Sequence, residues 1–170
     1  VNSISRTTIT AAAFLACILA ANFVTSRYGM VPVGFGLVAT AGTYFAGLSF
    51  VLRDAVQDAT GRWATIAVIA LGAGLSYLVS NPFIALASGI AFLASETADL
   101  AIYTPLRRRG YVRAAVASNV VGSIVDTFLF LHIAGFPLGG WEGQIVGKLA
   151  ITALVVALVI TFRARRAVAA

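Results

Sequence analysis

Charge is scarce in this sequence. Aspartate, glutamate, lysine and arginine make up 11% of its 170 residues, against about a quarter in a soluble domain. A water-solvated globule is excluded. Cysteine occurs once, as Cys17 within the first apolar run, so neither an internal disulfide nor a thiolate metal centre can form, and a buried structural thiol is expected. Histidine also occurs once. His132 follows Asp126 by six residues, about 240° round a helix, which puts the two on different faces and His132 at an interfacial position. No Gly-x-Ser-x-Gly nucleophile arrangement is present. The segment Asp54-x3-Asp58-x2-Gly61-Arg62 superficially resembles the aspartate motif of CDP-alcohol phosphotransferases but lacks its Asp-Gly adjacency. The expectation is therefore no enzyme, no cofactor and no metal site.

What the sequence does have is apolar length. Hydrophobic residues make up 60% of it and mean hydropathy is +0.96. Six apolar runs, about 9–25, 35–52, 63–80, 83–103, 114–136 and 144–162, are separated by turn-forming or charged pieces. The breakers are Arg27-Tyr28-Gly29 with Pro32, Arg53 to Arg62, Asn81-Pro82, Pro105 to Arg113, and Pro137 to Gly140. A bilayer core takes about 20 apolar residues per helix, so six crossings use about 120 and leave only short loops. The expected fold is all-α and integral to the membrane, with six transmembrane helices in a single domain over residues 1–170. The first run, preceded by Arg6 and followed by Ala20 and Ala21, has the look of a signal peptide. With five runs behind it, it is read as a retained helix.

The net charge of +6 would suggest nucleic acid in a soluble chain, but these cations lie between apolar runs. No nucleic-acid partner is expected; the partner is the lipid bilayer. Arg6, Arg53, Arg62, Arg107, Arg108, Arg109, Arg113, Arg163, Arg165 and Arg166 fall on one side of a six-span topology, and only Arg27 on the other. By the positive-inside rule both termini are then cytoplasmic. Ala12, Ala16 and Ala20 in the first run, and Gly143 and Gly147 in the last, form small-residue stripes. Packing inside the bundle is the favoured reading, with a homodimer face as the alternative.

Ionisable groups within apolar runs cost about 2.5 to 3.5 kcal/mol each at mid-bilayer and need partners or a function. Asp126 and Lys148 fall at similar depth, about 15 Å and about 6 to 10 Å below the outer surface, so an ion pair or a shared ligand is expected. Asn22 falls in the same layer, and Ser118, Asn119 and Ser123 add polar atoms along the fifth run. An outward-facing pocket of Asn22, Asn119, Asp126 and Lys148 follows, with Phe23, Tyr44 or Tyr77 as stacking surfaces. Glu96 and Asp99 share one face of the fourth run and repel each other, which suits proton coupling or pairing with Arg107 or Arg62. Asp54, Asp58 and Arg62 form a third group, either a helix-end salt-bridge cluster built on an Asp58 to Arg62 pair or a gate.

Taken in order, these groups resemble the signature of the VUT family of vitamin uptake transporters, which includes queuosine precursor transporters. The resemblance lies in Asp54, Asp58 and Gly61; in Ser95, Glu96, Asp99, Tyr103 and Arg107; in Ser118, Asp126, Thr127, Ile133, Ala134 and Phe136; and in Asn22 and Lys148. It covers roughly residues 20 to 150. Glu96 stands where the family pattern has Gln, and Asp58 where it has Glu. The resemblance implies a six-helix fold similar to the substrate-binding subunit of energy-coupling-factor vitamin transporters, working without their ATPase partners in a bacterial inner membrane. It implies import of a queuosine precursor of 7-deazaguanine type, or a related small heterocycle, bound by Asn22, Glu96, Asp99, Asn119, Asp126 and Lys148. Asp54, Asp58 and Arg62 would gate or brace the path. The alternative is a substrate-binding subunit of a multi-subunit ATP-driven importer, for which the alanine stripe would be the docking face.

Overall fold

The computed structural model describes residues 3–168. The expected domain limits take in residues 1, 2, 169 and 170, and the topology count uses the side chains of Arg6, Arg163, Arg165 and Arg166; all of these lie outside what is described. Six helices form the chain's body: α1 (Ser3–Tyr28), α2 (Thr43–Thr60), α3 (Arg62–Val79), α4 (Pro82–Arg107), α5 (Tyr111–Ile133) and α6 (Trp141–Val168). A two-stranded hairpin, β1 (Met30–Gly34) and β2 (Leu37–Thr40), sits between α1 and α2, and a single 3-10 turn, Leu138–Gly140, leads into α6. The chain runs back and forth, so the hairpin, the α3–α4 turn and the α5–α6 turn share one end of the bundle. The opposite end carries Arg62 and Arg107 to Arg113.

The bundle is inside out relative to a protein folded in water. Twenty polar or charged residues are buried among the described residues, against fifteen apolar ones, while Leu78, Trp63, Phe83 and Leu86 face outward. Burying polar groups and exposing apolar ones is favourable only where the surroundings are hydrocarbon. Among the described residues, five helical stretches are long and apolar enough to cross a membrane: Thr7–Tyr28, Arg62–Val79, Pro82–Arg107, Val112–Ile133 and Leu138–Leu158. The chain is a helical, multi-pass membrane protein. Helix α2 falls short of that standard because it carries Arg53, Asp54 and Asp58.

Two expectations about this region are corrected. The run 35–52 does not form the second helix: residues 35–40 belong to the hairpin, and α2 starts at Thr43. Val-Pro-Val and Leu-Val-Ala-Thr are β-prone segments flanking Gly34-Phe35-Gly36, and Phe35 and Gly36 adopt φ of 54° and 75°. Positive φ at both positions makes the tight turn that suits a two-residue hairpin. Nor is 53–62 a connection, since nothing between Gly47 and Gly61 breaks a helix and α2 runs through Arg53, Asp54 and Asp58 to Thr60. Pro105 likewise falls inside α4, near its end. Asn81 does mark a boundary; its side-chain oxygen accepts from the Phe83 and Ile84 amides at 2.9 and 3.3 Å and caps α4.

The two small-residue stripes behave differently. A Cβ on Gly147 would lie 2.8 Å from Thr43 Cγ2, and one on Gly143 would collide with the Val38 carbonyl, so α6 packs closely on α2 and the hairpin. On α1 the expectation of inward packing fails, because Ala12 and Ala16 are exposed. Helices α2 and α6 also approach closely at Gly47, whose Cβ would fall 2.8 Å from Lys148 Cα, whereas one on Gly74 would meet nothing within 4 Å. Gly47→Ala is expected to cost about 1 to 3 kcal/mol through forced separation of α2 and α6. Its melting temperature in detergent should drop, and that of Gly74→Ala should not.

Candidate functional site

A cavity with about 590 Å³ of empty space, counting its solvent-open part, lies inside the bundle toward the hairpin end. Its polar wall comes from Asn22 of α1, Asp126 of α5, and Gln144 and Lys148 of α6; Phe92 of α4 and Phe130 of α5 supply apolar faces. The expected pocket is thus three-quarters assembled. Asn22, Asp126 and Lys148 line it, but Asn119 does not, lying two helical turns from Asp126 toward the arginine end.

The Asp126–Lys148 pair is formed. Lys148 Nζ donates to Asp126 Oδ2 at 2.7 Å and to Thr127 Oγ1 at 2.8 Å, with the lysine nearly fully buried. An ammonium has three hydrogens; among the described residues these two bonds leave one of them over, and Asp126 accepts from the lysine through Oδ2 and not Oδ1. Asn22 Nδ2 donates to Ser76 Oγ at 3.0 Å, tying α1 to α3. Gln144 Nε2 donates to Thr40 Oγ1 at 3.1 Å, and the Gly42 amide donates to Thr25 Oγ1 at 3.0 Å, so the hairpin closes one flank of the cavity. Gln144, Thr40 and Thr25 were not expected at the site. A glutamine near a predicted helix start gives no depth signal once the hairpin is missed.

The cavity floor is aromatic. Phe92 stacks on Phe50, centroids 5.2 Å apart and planes within 10°, and Phe14 tilts against Phe92 at 6.0 Å. Phe23, Tyr44 and Tyr77, the expected stacking residues, are exposed on the outside instead. They occupy the outward side of α1, α2 and α3, which faces hydrocarbon or its boundary.

One helical turn below, about 6 Å along α2 and α4, lies a second polar centre. Arg53, 1% exposed, reaches three carboxylates: Nη1 is 2.6 Å from Asp99 Oδ2, 3.3 Å from Asp54 Oδ1 and 3.3 Å from Glu96 Oε1, and Nε is 3.1 Å from Glu96 Oε2. Asn119 Nδ2 donates to Asp54 Oδ2 at 3.1 Å. Glu96, Asp99 and Asn119 therefore gather with Asp54 around Arg53, away from Asp126 and Lys148. The expected partners of Glu96 and Asp99, Arg107 and Arg62, are at the arginine end: Arg107 lies 4.0 Å from Asp58, to which Tyr103 donates at 3.3 Å, and Arg62 sits 4.7 Å above the Trp63 ring. The Asp58 to Arg62 pair does not form because α2 stops at Thr60 and Gly61, at φ 81°, turns the chain into α3. Asp58 and Arg62 are exposed. His132 is exposed near the hairpin end of α5, in keeping with an interfacial position.

The bundle thus has a polar core and a cavity walled by paired charges over aromatic side chains, as a membrane transporter would. Residues 76–166, just over half of the chain, match the family model described as "putative vitamin uptake transporter". The chain belongs to this VUT family. No curated protein and no solved structure matches it at a significant level.

Replacing Lys148 by Met strands the Asp126 carboxylate, at a cost of about 3 to 5 kcal/mol, whereas removing both charges together leaves nothing unpaired. Denaturation in detergent should therefore show Lys148→Met well below the native protein and the Asp126→Asn, Lys148→Met double variant close to it. Equal loss in single and double variants would contradict the pairing.

Proposed function

We propose that the chain is an importer, crossing a bacterial inner membrane six times with both termini cytoplasmic, of a queuosine precursor of 7-deazaguanine type or a related small heterocycle. The observation that supports this most is the ammonium and the free carboxylate oxygen side by side on the cavity wall. Lys148 offers an N–H beside the Asp126 acceptor, which complements the C=O and N–H of a lactam edge. Phe92 and Phe130 supply flat apolar surfaces for the ring. The pair carries no net charge, so a neutral base enters without a counterion.

In that orientation the cavity opens toward the outside. Binding between helices, with rocking of helix groups to break the Phe14–Phe50–Phe92 layer, carries the base inward past Asp99, Glu96 and Asp54. What supports counting α2 as the remaining span is pairing: Arg53 and Asp54 meet each other and the α4 carboxylates inside the bundle rather than facing lipid.

A second reading draws on one observation. The exposed Ala12 and Ala16 stripe on α1 is a flat surface of the kind a substrate-binding subunit offers an energising partner, or a second copy. Uptake by the purified chain alone in liposomes would exclude dependence on such a partner.

Cells lacking their own synthesis and import of the precursor should accumulate radiolabelled 7-deazaguanine base when they express this chain. The Asp126→Asn, Lys148→Met variant should insert but not transport. Uptake that survives the double change would remove the cavity from the route.

A further inference from the structure

The Arg53 centre has more anionic charge than its own cation balances. Asp54, Glu96 and Asp99 are three carboxyl groups around one guanidinium, all buried, which leaves two negative charges in excess when every carboxyl is ionised. Uncompensated charge of that kind is costly in a membrane interior. Donors and acceptors are also mismatched in place. Nη1 carries two N–H groups yet faces oxygens of three different carboxyls, while Nη2 has no hydrogen-bond partner among the described residues. Asp99 Oδ1, in a residue with no exposure, has no partner either, and the Ser123 hydroxyl is fully buried and unpartnered. Ser123 stands one turn beyond Asn119 on the same face of α5, and a Cβ on the adjacent Gly122 would lie 3.8 Å from Asp99 Oδ1. An unsatisfied acceptor and an idle hydroxyl thus both lie along the α4–α5 contact without bonding each other.

We propose that the carboxyl cluster at Arg53 is a proton-binding site: it takes up a proton on one of Asp54, Glu96 and Asp99 and shares it with a neighbouring carboxylate oxygen. The step is a carboxylate gaining a proton from water and returning it, with no other reactant. Added hydrogen removes one excess charge and supplies the donor that Nη1 cannot. The carboxyls converge on the guanidinium rather than around an empty space, which favours a proton over a metal cation.

The groups facing the centre are Arg53 and Asp54 from α2, Glu96 and Asp99 from α4, and the uncharged Asn119 and Ser123 from α5. Asp58 and Arg107 lie toward the arginine end, and Asp126 and Lys148 neutralise each other toward the hairpin end. The aromatic layer separates the centre from the cavity, so its protonation can alternate with occupancy above. That coupling role rests on the importer reading; proton binding itself does not.

Infrared difference spectra of the native protein in lipid, acid minus neutral buffer, test it without any substrate. A protonated-carboxyl C=O band that shifts in heavy water is expected, lost or displaced in at least one of Glu96→Gln, Asp99→Asn and Asp54→Asn and retained in Asp58→Asn. No such band, a band unaffected by all three changes, or a response to Na⁺ at fixed pH in place of a response to pH would overturn the proposal. Should one variant fail to fold, the other two and the native Na⁺ comparison still decide. In proteoliposomes given the labelled 7-deazaguanine base, an inward proton gradient should speed uptake several-fold in the native protein and not in the variant that loses the infrared band. Uptake that ignores the gradient in the native protein overturns the coupling role. Absence of uptake under every condition counts against the substrate and leaves the infrared band to decide the proton site.

Discussion

A guanidinium cannot sit inside a bilayer alone, and the position of Arg53 obliges three helices to meet. Its partners come from α2 itself and from α4, and Asn119 of α5 is drawn in through Asp54. The extensive α4–α5 contact is the hydrocarbon side of the same arrangement. With these helices held at that depth, Phe50 and Phe92, each within one turn of the charged residues, fall into register and stack. The aromatic layer is therefore positioned by the electrostatics beneath it, and the cavity floor with it.

Above the layer a second ion pair performs the same service for α5 and α6. Lys148 packs its backbone against Gly47 of α2 while its ammonium reaches Asp126 and Thr127 on α5. One lysine thus fixes a three-helix junction and leaves a donor beside an acceptor on a cavity wall. The two centres share one stripe of α5, from Asn119 through Gly122 and Ser123 to Asp126.

Membrane character was legible in composition, and the Asp126–Lys148 pair in helix rise alone, because depth along two neighbouring spans is simple arithmetic once their ends are known. The family was legible as well. What escaped was the hairpin and, with it, Arg53. An apolar stretch broken by Gly34-Phe35-Gly36 reads as a helix when hydropathy outranks turn chemistry, and that shifts the second helix by about two turns. Arg53 then falls in a loop, where it counts as a topology marker instead of the hub of a buried cluster, and Glu96 and Asp99 are left seeking partners at the wrong depth. Asn119 was misplaced for a related reason: lying on an α5 face that touches two centres, it cannot be assigned to one by sequence spacing.

The central claim is that a small flat base occupies the cavity between the hairpin and the aromatic layer. The chain has one cysteine, the buried Cys17, so a Cys17→Ala background makes a single reporter thiol practical, and Ser88, which lines the cavity, is the place for it. Ser88→Cys in that background should react with a membrane-impermeant thiol reagent added from outside, and a saturating 7-deazaguanine base should slow the reaction markedly. Reaction at an unchanged rate with the base present would contradict the account.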